Sequence, residues 1–257
     1  MKQPGPTKRA QRIRLGMVGI AAGVSVALLL AGKTGASVLF SGSCWLFYLL
    51  GTLRPGCGWF GPVVSSLGGD DSGVILTIDD GPDPDTTPLL LEILRRHQAT
   101  ATFFLIGERA RRHPELVRAI SQAGHSIGNH SMTHPSGKFW VLGPRRMWRE
   151  ISECQDVLEQ ITGSPPAWYR SPVGHSNPFV QPVLTALNLR RMAWSARGFD
   201  AVRTDVDAIM AALRPDLNAG AIILLHEATP IAATLLEQVL GELEARKLTT
   251  RPLSTPK

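Results

Sequence analysis

The sequence has few cysteines, and the three it has form no pattern. Cys44, Cys57 and Cys154 occur among 257 residues at spacings unrelated to one another. This excludes a disulfide framework and a zinc site made of cysteines. We expect all three to be apolar filler. The chain is long enough to bury a sizeable core in one domain, with residues left over for a tail or an anchor.

Acidic residues are absent from the first 69 positions, which distorts the overall charge. The net charge is +6, but seven of the 27 basic residues precede the first acid, Asp70. The rest of the chain therefore carries 20 basic residues against 21 acidic ones. A nearly neutral domain argues against a nucleic-acid-binding surface as the main function. We predict no nucleic-acid partner and no protein partner.

Charge is also missing from two long runs near the N-terminus. A basic leader is followed by residues 15–32 without a charged side chain, and after Lys33 by residues 34–53, also uncharged. Either run is long enough to cross a bilayer, which takes about 20 residues. Together they would overshoot its thickness, so they form two spans, or one span and a surface-lying piece. A cleaved signal peptide is the competing interpretation of the first run, but it lacks a clear cleavage site.

These runs predict a membrane-attached protein with the following parts. Residues 1–54 form the basic leader and anchor, 55–70 a Gly-, Pro- and Ser-rich linker, 71–250 the folded domain and 251–257 a tail. The basic leader favours a cytoplasmic N-terminus. We expect the first run to span the cell membrane and the second to lie along its outer surface, which places the folded domain on the extracytoplasmic side. A hairpin of two spans would return it to the cytoplasm.

Strands alternate with helices after Asp70, which predicts an α/β fold with parallel pairing through right-handed crossovers. Predicted strands cover residues 74–78, 101–106, 125–129, 168–170 and 221–225, with another ending at Trp194. Predicted helices cover residues 87–97, 114–123, 144–161, 180–187, 206–213 and 232–247.

The first of these strands ends in two adjacent carboxylates, Asp79 and Asp80, before a Gly-Pro breaker. Neighbouring side chains on an extended backbone point in different directions. One carboxylate can therefore bind a cation while the other faces a substrate. The alternative is that both merely open a turn before Pro82.

Other polar residues also follow strand ends, where parallel α/β barrels place their active sites. They are His130, Arg170, Asp200 and His226. Scattered structural residues would not be expected to choose that edge every time.

Two histidines, His130 and His134, lie four residues apart, within reach of a single ion. With Asp80 they make a ligand set of two imidazoles and one carboxylate, which suits a divalent ion and leaves a position open for water. Zn²⁺ is the first candidate, with Co²⁺, Mn²⁺ and Ni²⁺ as alternatives. An ordinary polar turn is the competing interpretation of the two histidines.

These stretches resemble, in order and spacing, the motifs of the polysaccharide deacetylase family, the NodB-homology domain of carbohydrate esterase family four. Residues 77–82 (TIDDGP) resemble the first motif and 130–134 (HSMTH) the second. Residues 170–174 (RSPVG) resemble the third, Trp194 with Asp200 the fourth, and 224–226 (LLH) the fifth. The resemblance covers roughly residues 74–247. It implies a distorted parallel (β/α) barrel and metal-dependent removal of acetyl groups from sugars.

The resemblance also implies a role for each site residue. Asp80, His130 and His134 would hold the metal, and Asp79 would be the general base. Arg170 would keep Asp79 ionised, and His226 would protonate the leaving amine with Asp200 orienting it. Leu224 and Trp194 would line the acetyl pocket.

Two motifs depart from the family pattern. Val173 stands where an aromatic residue is common, and Arg197, Phe199 and Ala201 are unusual in the fourth motif. These positions belong to the substrate groove. They put the identity of the substrate in doubt more than the type of reaction.

We predict a deacetylase of an N-acetylated cell-envelope glycan, either peptidoglycan or a chitin-like polymer. The rival within the fold is a deformylase or deacetylase of a lipid-linked sugar. From other classes, an inactive glycan-binding module and a membrane protein with a structural metal are weaker. Binding alone needs no paired acid and base, and a structural metal calls for four ligands.

Overall fold

The computed structural model describes residues 20–67 and 73–253, beginning with two helices. Helix α1 is Ile20–Leu30 and helix α2 is Thr34–Leu53. The Ser25 Oγ lies 2.9 Å from the Ser41 Oγ, and the Ser37 hydroxyl donates to the Ser25 carbonyl at 2.9 Å. Because only three residues connect the helices, these contacts show that they pack side by side in antiparallel fashion.

Strands and helices then alternate along the chain. The strands are β1 Gly73–Gly81, β2 Thr102–Leu105, β3 Ser126–Asn129, β4 Trp168–Tyr169, β5 Arg190–Arg191, β6 Ala196–Arg197, β7 Ile222–His226 and β8 Thr249–Thr250. The helices are α3 Thr87–Arg96, α4 Gly107–Arg112, α5 Pro114–Gln122, α6 Pro144–Thr162, α7 Val180–Ala186, α8 Val206–Leu213 and α9 Ala232–Ala245.

The strands pair in the order β5-β4-β3-β2-β1-β7-β6, and β8 adds to β1. Every pairing between these strands is parallel. The sheet is an incomplete barrel, because its path ends at β5 and β6. This confirms the predicted α/β fold with parallel strands, and it brings the carboxyl ends of the strands to one edge.

Strand β1 separates the two packing layers of the barrel. Val74, Leu76 and Ile78 join the large core that lies under the outer helices. Ile75 belongs to a separate cluster with Phe104, Trp168, Met192 and Ile222 inside the barrel. Since successive side chains alternate, Thr77 and Asp79 share the inner face with Ile75.

The segment expected to be a linker packs against the barrel where the structure describes it. Val64 forms a parallel bridge with Met192, and Ser66 an antiparallel bridge with Ala221. Val64 and Leu67 also pack on the inner cluster. Residues 64–67 therefore extend the sheet at its opening, between the residue that follows β5 and the residue that precedes β7. The boundary near Asp70 lies outside the described residues and stays a prediction.

Two local expectations differ from the structure. The strand expected to end at Trp194 is replaced by β5 and β6, with residues 192–195 outside both. The bridge to Val64 occupies that interval. Helix α4 was not predicted, because its six residues carry three arginines and no apolar periodicity.

Candidate active site

Asp79 is held inside the barrel by a buried arginine. Its side chain is only 3% exposed, and Arg170 is fully buried. The Arg170 Nη1 donates to the Asp79 Oδ1 and to the Thr77 Oγ1, each at 2.7 Å. Its Nη2 donates to the Ala193 carbonyl at 3.0 Å. The cation and these neighbours fix the carboxylate in one orientation.

The strand bends between Asp79 and Asp80, and the carboxylates of both residues lie near His130, with the Asp79 Oδ2 3.7 Å from the His130 Nε2. The backbone of Asp80 is left-handed, with φ of 72°, and the pairing with β2 shifts register between Asp79 and Gly81. The Arg109 side chain donates to the Asp80 carbonyl at 2.7 Å. The bend directs the Asp80 side chain toward the loop that follows β3.

That loop presents both predicted histidines to Asp80. The Asp80 Oδ1 is 3.4 Å from the His130 Nε2 and 3.2 Å from the His134 Nε2. The three ligand atoms lie within 4.8 Å of one another. Around a tetrahedral ion with bonds of about 2.0–2.1 Å, neighbouring ligand atoms would be roughly 3.3 Å apart. The two distances to Asp80 match that spacing.

The protonation of this cluster also fits a cation. The His130 Nδ1 is 2.9 Å from the Arg170 carbonyl, which cannot donate, so Nδ1 carries the proton and Nε2 presents its lone pair. That lone pair faces the Asp80 Oδ1, which is buried and has no hydrogen-bond partner in the described chain. Two acceptors facing each other are favourable when a cation lies between them.

The pKa directions agree with a set of deprotonated ligands. Burial raises the pKa of Asp80, but the close imidazoles of His130, His134 and His226 outweigh burial and hold the pKa of Asp80 well below its usual range. Burial, followed by the nearby His130, lowers the pKa of His134 to about 4. Metal ligands must be deprotonated.

His226 and Asp200 form a second polar pair on the opposite side of Asp79. The His226 Nδ1 lies 3.0 Å from the Asp200 Oδ1, and the His226 backbone N–H donates to the Asp200 Oδ2 at 2.7 Å. Strand register sets Asp79 directly beside His226. Burial alone would lower the pKa of His226, but Asp200, with smaller contributions from Asp79 and Asp80, raises it above the ordinary value. A raised pKa suits a proton donor.

The three residues expected to bind substrate lie around this centre. Leu224 is 3% exposed and precedes His226 by two positions on β7, so both share a face. The Trp194 ring is 5.7 Å from the Arg170 guanidinium carbon. Val173 is 48% exposed on the third-motif loop and has a left-handed backbone, with φ of 56°.

Several supporting residues were not predicted from the sequence. The Glu150 carboxylate accepts from the Thr133 backbone N–H at 2.9 Å and from its hydroxyl at 2.8 Å, which fixes the histidine loop. Glu227 accepts a hydrogen bond from the Thr87 hydroxyl and lies against Gly81. Burial raises the pKa of Glu227 to about 8. In the sequence, only the position of Glu227 directly after His226 could have indicated that it belongs to the site.

Backbone strain is concentrated in the motif loops. The non-glycine residues with left-handed backbones there are Asp80, Ser131, His134, Val173 and Phe199. Such conformations cost free energy and persist where the surroundings enforce them. These left-handed conformations give the side chains of the motif loops orientations that an unstrained backbone would not give them.

Comparison with known proteins agrees with this geometry. Residues 68–192 match the polysaccharide deacetylase family. The chain is 37% identical over 172 residues to a chitooligosaccharide deacetylase of Rhizobium leguminosarum bv. trifolii, covering 63% of this chain and 75% of that relative.

Solved structures share the fold. A peptidoglycan N-acetylglucosamine deacetylase matches with a TM-score of 0.71 and 26% identity, over 76% of this chain and 95% of that chain. A carbohydrate esterase family 4 pseudoenzyme from Bacillus anthracis matches with a TM-score of 0.68 and 23% identity, over 74% and 66% of the two chains. The second likeness shows the fold alone.

Proposed function

Because the chain belongs to the polysaccharide deacetylase family, we propose that it is a metal-dependent hydrolase that removes acetyl groups from N-acetylated sugars. The expected substrate is a cell-envelope glycan, either peptidoglycan or a chitin-like polymer. The observation that carries the proposal is the meeting of three units at one barrel edge. A base held by Arg170, a ligand cluster at Asp80 and an acid held by Asp200 all lie there.

A divalent ion would be held by Asp80, His130 and His134, for the reasons of spacing and protonation given above. When bound, such an ion polarises an acyl carbonyl and makes a nearby water more acidic. Zn²⁺ suits two imidazoles and a carboxylate, and Co²⁺, Mn²⁺ or Ni²⁺ are alternatives. The Arg170 carbonyl orients the His130 ring through its Nδ1, and Glu150 fixes the loop between the histidines by accepting from the Thr133 N–H.

The proton transfers belong to Asp79 and His226. Asp79 takes a proton from the attacking water, and the hydrogen bond from Arg170 holds its carboxylate in position. His226 carries a proton on the opposite side and gives it to the sugar nitrogen as the C–N bond breaks. Asp200 holds the imidazole and favours its protonated form. The acetyl methyl group would contact Leu224 and Trp194.

An inactive glycan-binding module is the alternative from another class. The likeness to a pseudoenzyme is a reminder that the fold alone does not guarantee activity. Binding requires neither a buried Arg170–Asp79 pair nor a His226–Asp200 pair. The presence of both, beside a cluster of possible metal ligands, supports an enzyme.

A lipid-linked sugar is the rival substrate, and the position of α2 favours it. The carbonyl of Thr52, near the end of α2, accepts a hydrogen bond from the Ser176 backbone N–H, just beyond the third motif. Among the described helices, α2 alone is long and apolar enough to span a membrane. A membrane-bound substrate would therefore be near the cleft.

The proposed location is the cell membrane, with the catalytic domain on its extracytoplasmic side, where envelope glycans occur. The contact between α1 and α2 supports the competing hairpin. We expect a reporter that works only outside the cytoplasm to be active when fused after Asp70. A silent reporter there, with an active cytoplasmic reporter at the same junction, would establish the hairpin and require a substrate at the cytoplasmic face.

Acetate release from a panel of substrates tests the proposed reaction. The purified full chain, supplied with each metal in turn, is expected to release acetate from peptidoglycan or from N-acetylglucosamine oligomers. The His130→Ala, His134→Ala double variant is expected to lose both the metal and the activity. Full metal content and activity in that variant would refute the ligand assignment. Release of formate or acetate only from lipid-linked sugars would favour the rival substrate.

A further inference from the structure

Helix α2 is fixed to the side of the barrel where the active site opens. Thr52, in its last turn, is fully buried and bonds to Ser176 at 3.0 Å. Pro55 then packs tightly on Gly174, where an added Cβ would lie 2.6 Å from the Pro55 Cγ and 2.6 Å from the Trp194 ring. The direction of α2 is thereby tied to the third-motif loop.

Helix α2 leaves a broad apolar surface uncovered. At 1.5 Å per residue its 20 residues extend about 30 Å, the thickness of the hydrocarbon core. Its exposed large apolar side chains are Val38, Leu39, Trp45, Leu46, Phe47, Leu50 and Leu53. A bilayer around α2 would therefore reach the barrel at the end of α2, beside the cleft.

The cleft has an apolar rim at the same place, which we call the rim patch. It consists of Val173, Arg197, Phe199, Val202 and Arg203. Its three apolar members are 48%, 40% and 81% exposed in that order. The amides of Val202 and Arg203 both donate to the Phe199 carbonyl at 3.0 Å, so these residues form one turn.

Contacts connect the rim patch to the end of α2 without a gap. Pro55 and Trp194 meet at Gly174. The Arg197 guanidinium carbon is 5.5 Å from the Trp194 ring centre and 3.7 Å from that of Phe199. The Arg203 guanidinium carbon lies 5.0 Å from the Phe199 ring. The rim patch therefore lies next to the end of α2.

The backbone of Phe199 is what turns its ring outward. Phe199 has φ of 66° and is 40% exposed, whereas Asp200, the next residue, is 2% exposed. The left-handed conformation separates a buried residue that serves His226 from an aromatic residue aimed at solvent. A large exposed aromatic ring on a strained backbone is typical of a residue that contacts a binding partner.

The charges of the rim patch complement an anionic surface. Within the described chain, neither Arg197 nor Arg203 lies within salt-bridge distance of a carboxylate, although the buried Asp200 interacts with Arg197 electrostatically. Both guanidinium groups lie against the Phe199 ring. The nearby Asp205 is occupied in capping α8 through the Ala208 N–H. Exposed apolar and aromatic groups with adjacent arginines are typical of the headgroup layer of a bilayer.

We propose that the rim patch docks on the surface of an anionic lipid bilayer, so that the active-site cleft opens within the headgroup layer. The inference rests on the proposed membrane attachment by α2, and it does not depend on the reaction catalysed. In the docked orientation, the active site reaches only sugars held close to the membrane, whether a polymer or a lipid carries them.

Quenching by spin-labelled lipid tests the proposal in the full chain reconstituted into vesicles. Cys44→Ser and Cys57→Ser leave only the buried Cys154, and a fluorophore is then placed through Val202→Cys. The matched control is Leu89→Cys, because Leu89 is 54% exposed on α3 and apolar like Val202. Leu89 lies on the helix that follows β1, in the middle of the sheet, whereas Val202 follows β6, at one end of the sheet.

We expect quenching at position 202 to be at least about twofold stronger than at position 89, because interfacial groups enter roughly 5–10 Å into the headgroup boundary. Equal quenching at the two positions, in chains that float with the vesicles, would overturn the docking. Chains that do not float would overturn the attachment by α2 and the docking together. Neither outcome would contradict deacetylation, which the acetate assay measures separately.

The lipid charge provides a second comparison. Replacing neutral phosphatidylcholine by a mixture with phosphatidylserine is expected to increase quenching at position 202. Arg197→Gln with Arg203→Gln is expected to abolish that increase while the chain still floats. An increase that persists in this double variant would refute the role of the two arginines.

Discussion

Asp79→Asn is expected to keep the bound metal and lose most of the rate. The amide still accepts from Arg170, but it cannot take a proton from water. General-base catalysis typically accelerates a reaction about 10²- to 10⁴-fold, so kcat is expected to decrease by a factor in that range. Metal content of the purified variant, measured beside kcat, is expected to stay at the level of the unchanged chain.

Asp80→Asn is the matched control, since it makes the same change at the next residue. It removes a ligand whose Oδ1 lies 3.4 Å and 3.2 Å from the two histidines, so metal affinity is expected to fall. Excess metal should restore part of its activity and none of that lost in Asp79→Asn. Equal metal loss in both variants would show that the two roles have been confused. Thermal unfolding of both is measured too, because Asp79→Asn leaves a buried guanidinium without its carboxylate.

The second large effect is expected at His226. His226→Gln removes the proton donor, and a loss of about 10²- to 10⁴-fold in kcat is expected from missing general-acid catalysis. Asp200→Asn retains the imidazole and removes the charge that raises its pKa. The two variants therefore separate the loss of the acid from a change in its pKa.

The pH dependence follows from the direction of that shift. His226 must be protonated to act as an acid, so the rate falls as pH rises through its pKa. Removing the negative charge of Asp200 lowers this pKa, and the alkaline decline of kcat in Asp200→Asn is expected at a lower pH than in the unchanged chain. An alkaline decline at the same pH in both would mean that Asp200 does not control the protonation of His226.

Much of the fold follows from local patterns in the chain. The apolar run before Asp79 is a strand because its residues are β-branched or leucine and the Gly-Pro pair ends it. Helices such as α5 and α6 begin at a proline and present an apolar face at helical spacing. Short segments without such periodicity were harder to assign. Helix α4 and the two-residue strands β5 and β6 acquire their structure from neighbours in the barrel.

The sequence was also informative about which residues to examine at the site. Adjacent carboxylates, histidines four apart, and polar residues at strand ends are visible without coordinates, because residue chemistry and strand order are local properties. The supporting residues were not visible in that way. Arg109, Glu150 and Glu227 act across the fold on Asp80, Thr133 and Thr87, and such distant pairings leave no periodic signal.

By itself, the sequence determined the α/β class of the domain, its parallel strands and the residue types at the strand ends, since periodicity and turn chemistry are encoded locally. Only the tertiary structure decided how the N-terminal third relates to the cleft. Residues 55–67 look like a linker because Gly, Pro and Ser form no regular element. They pack on the barrel because Val64 and Leu67 are half-buried against its inner cluster, and Phe60 is buried against Tyr48 of α2. That packing carries α2 to the active-site edge, and long-range burial of this kind cannot be read from spacing along the chain.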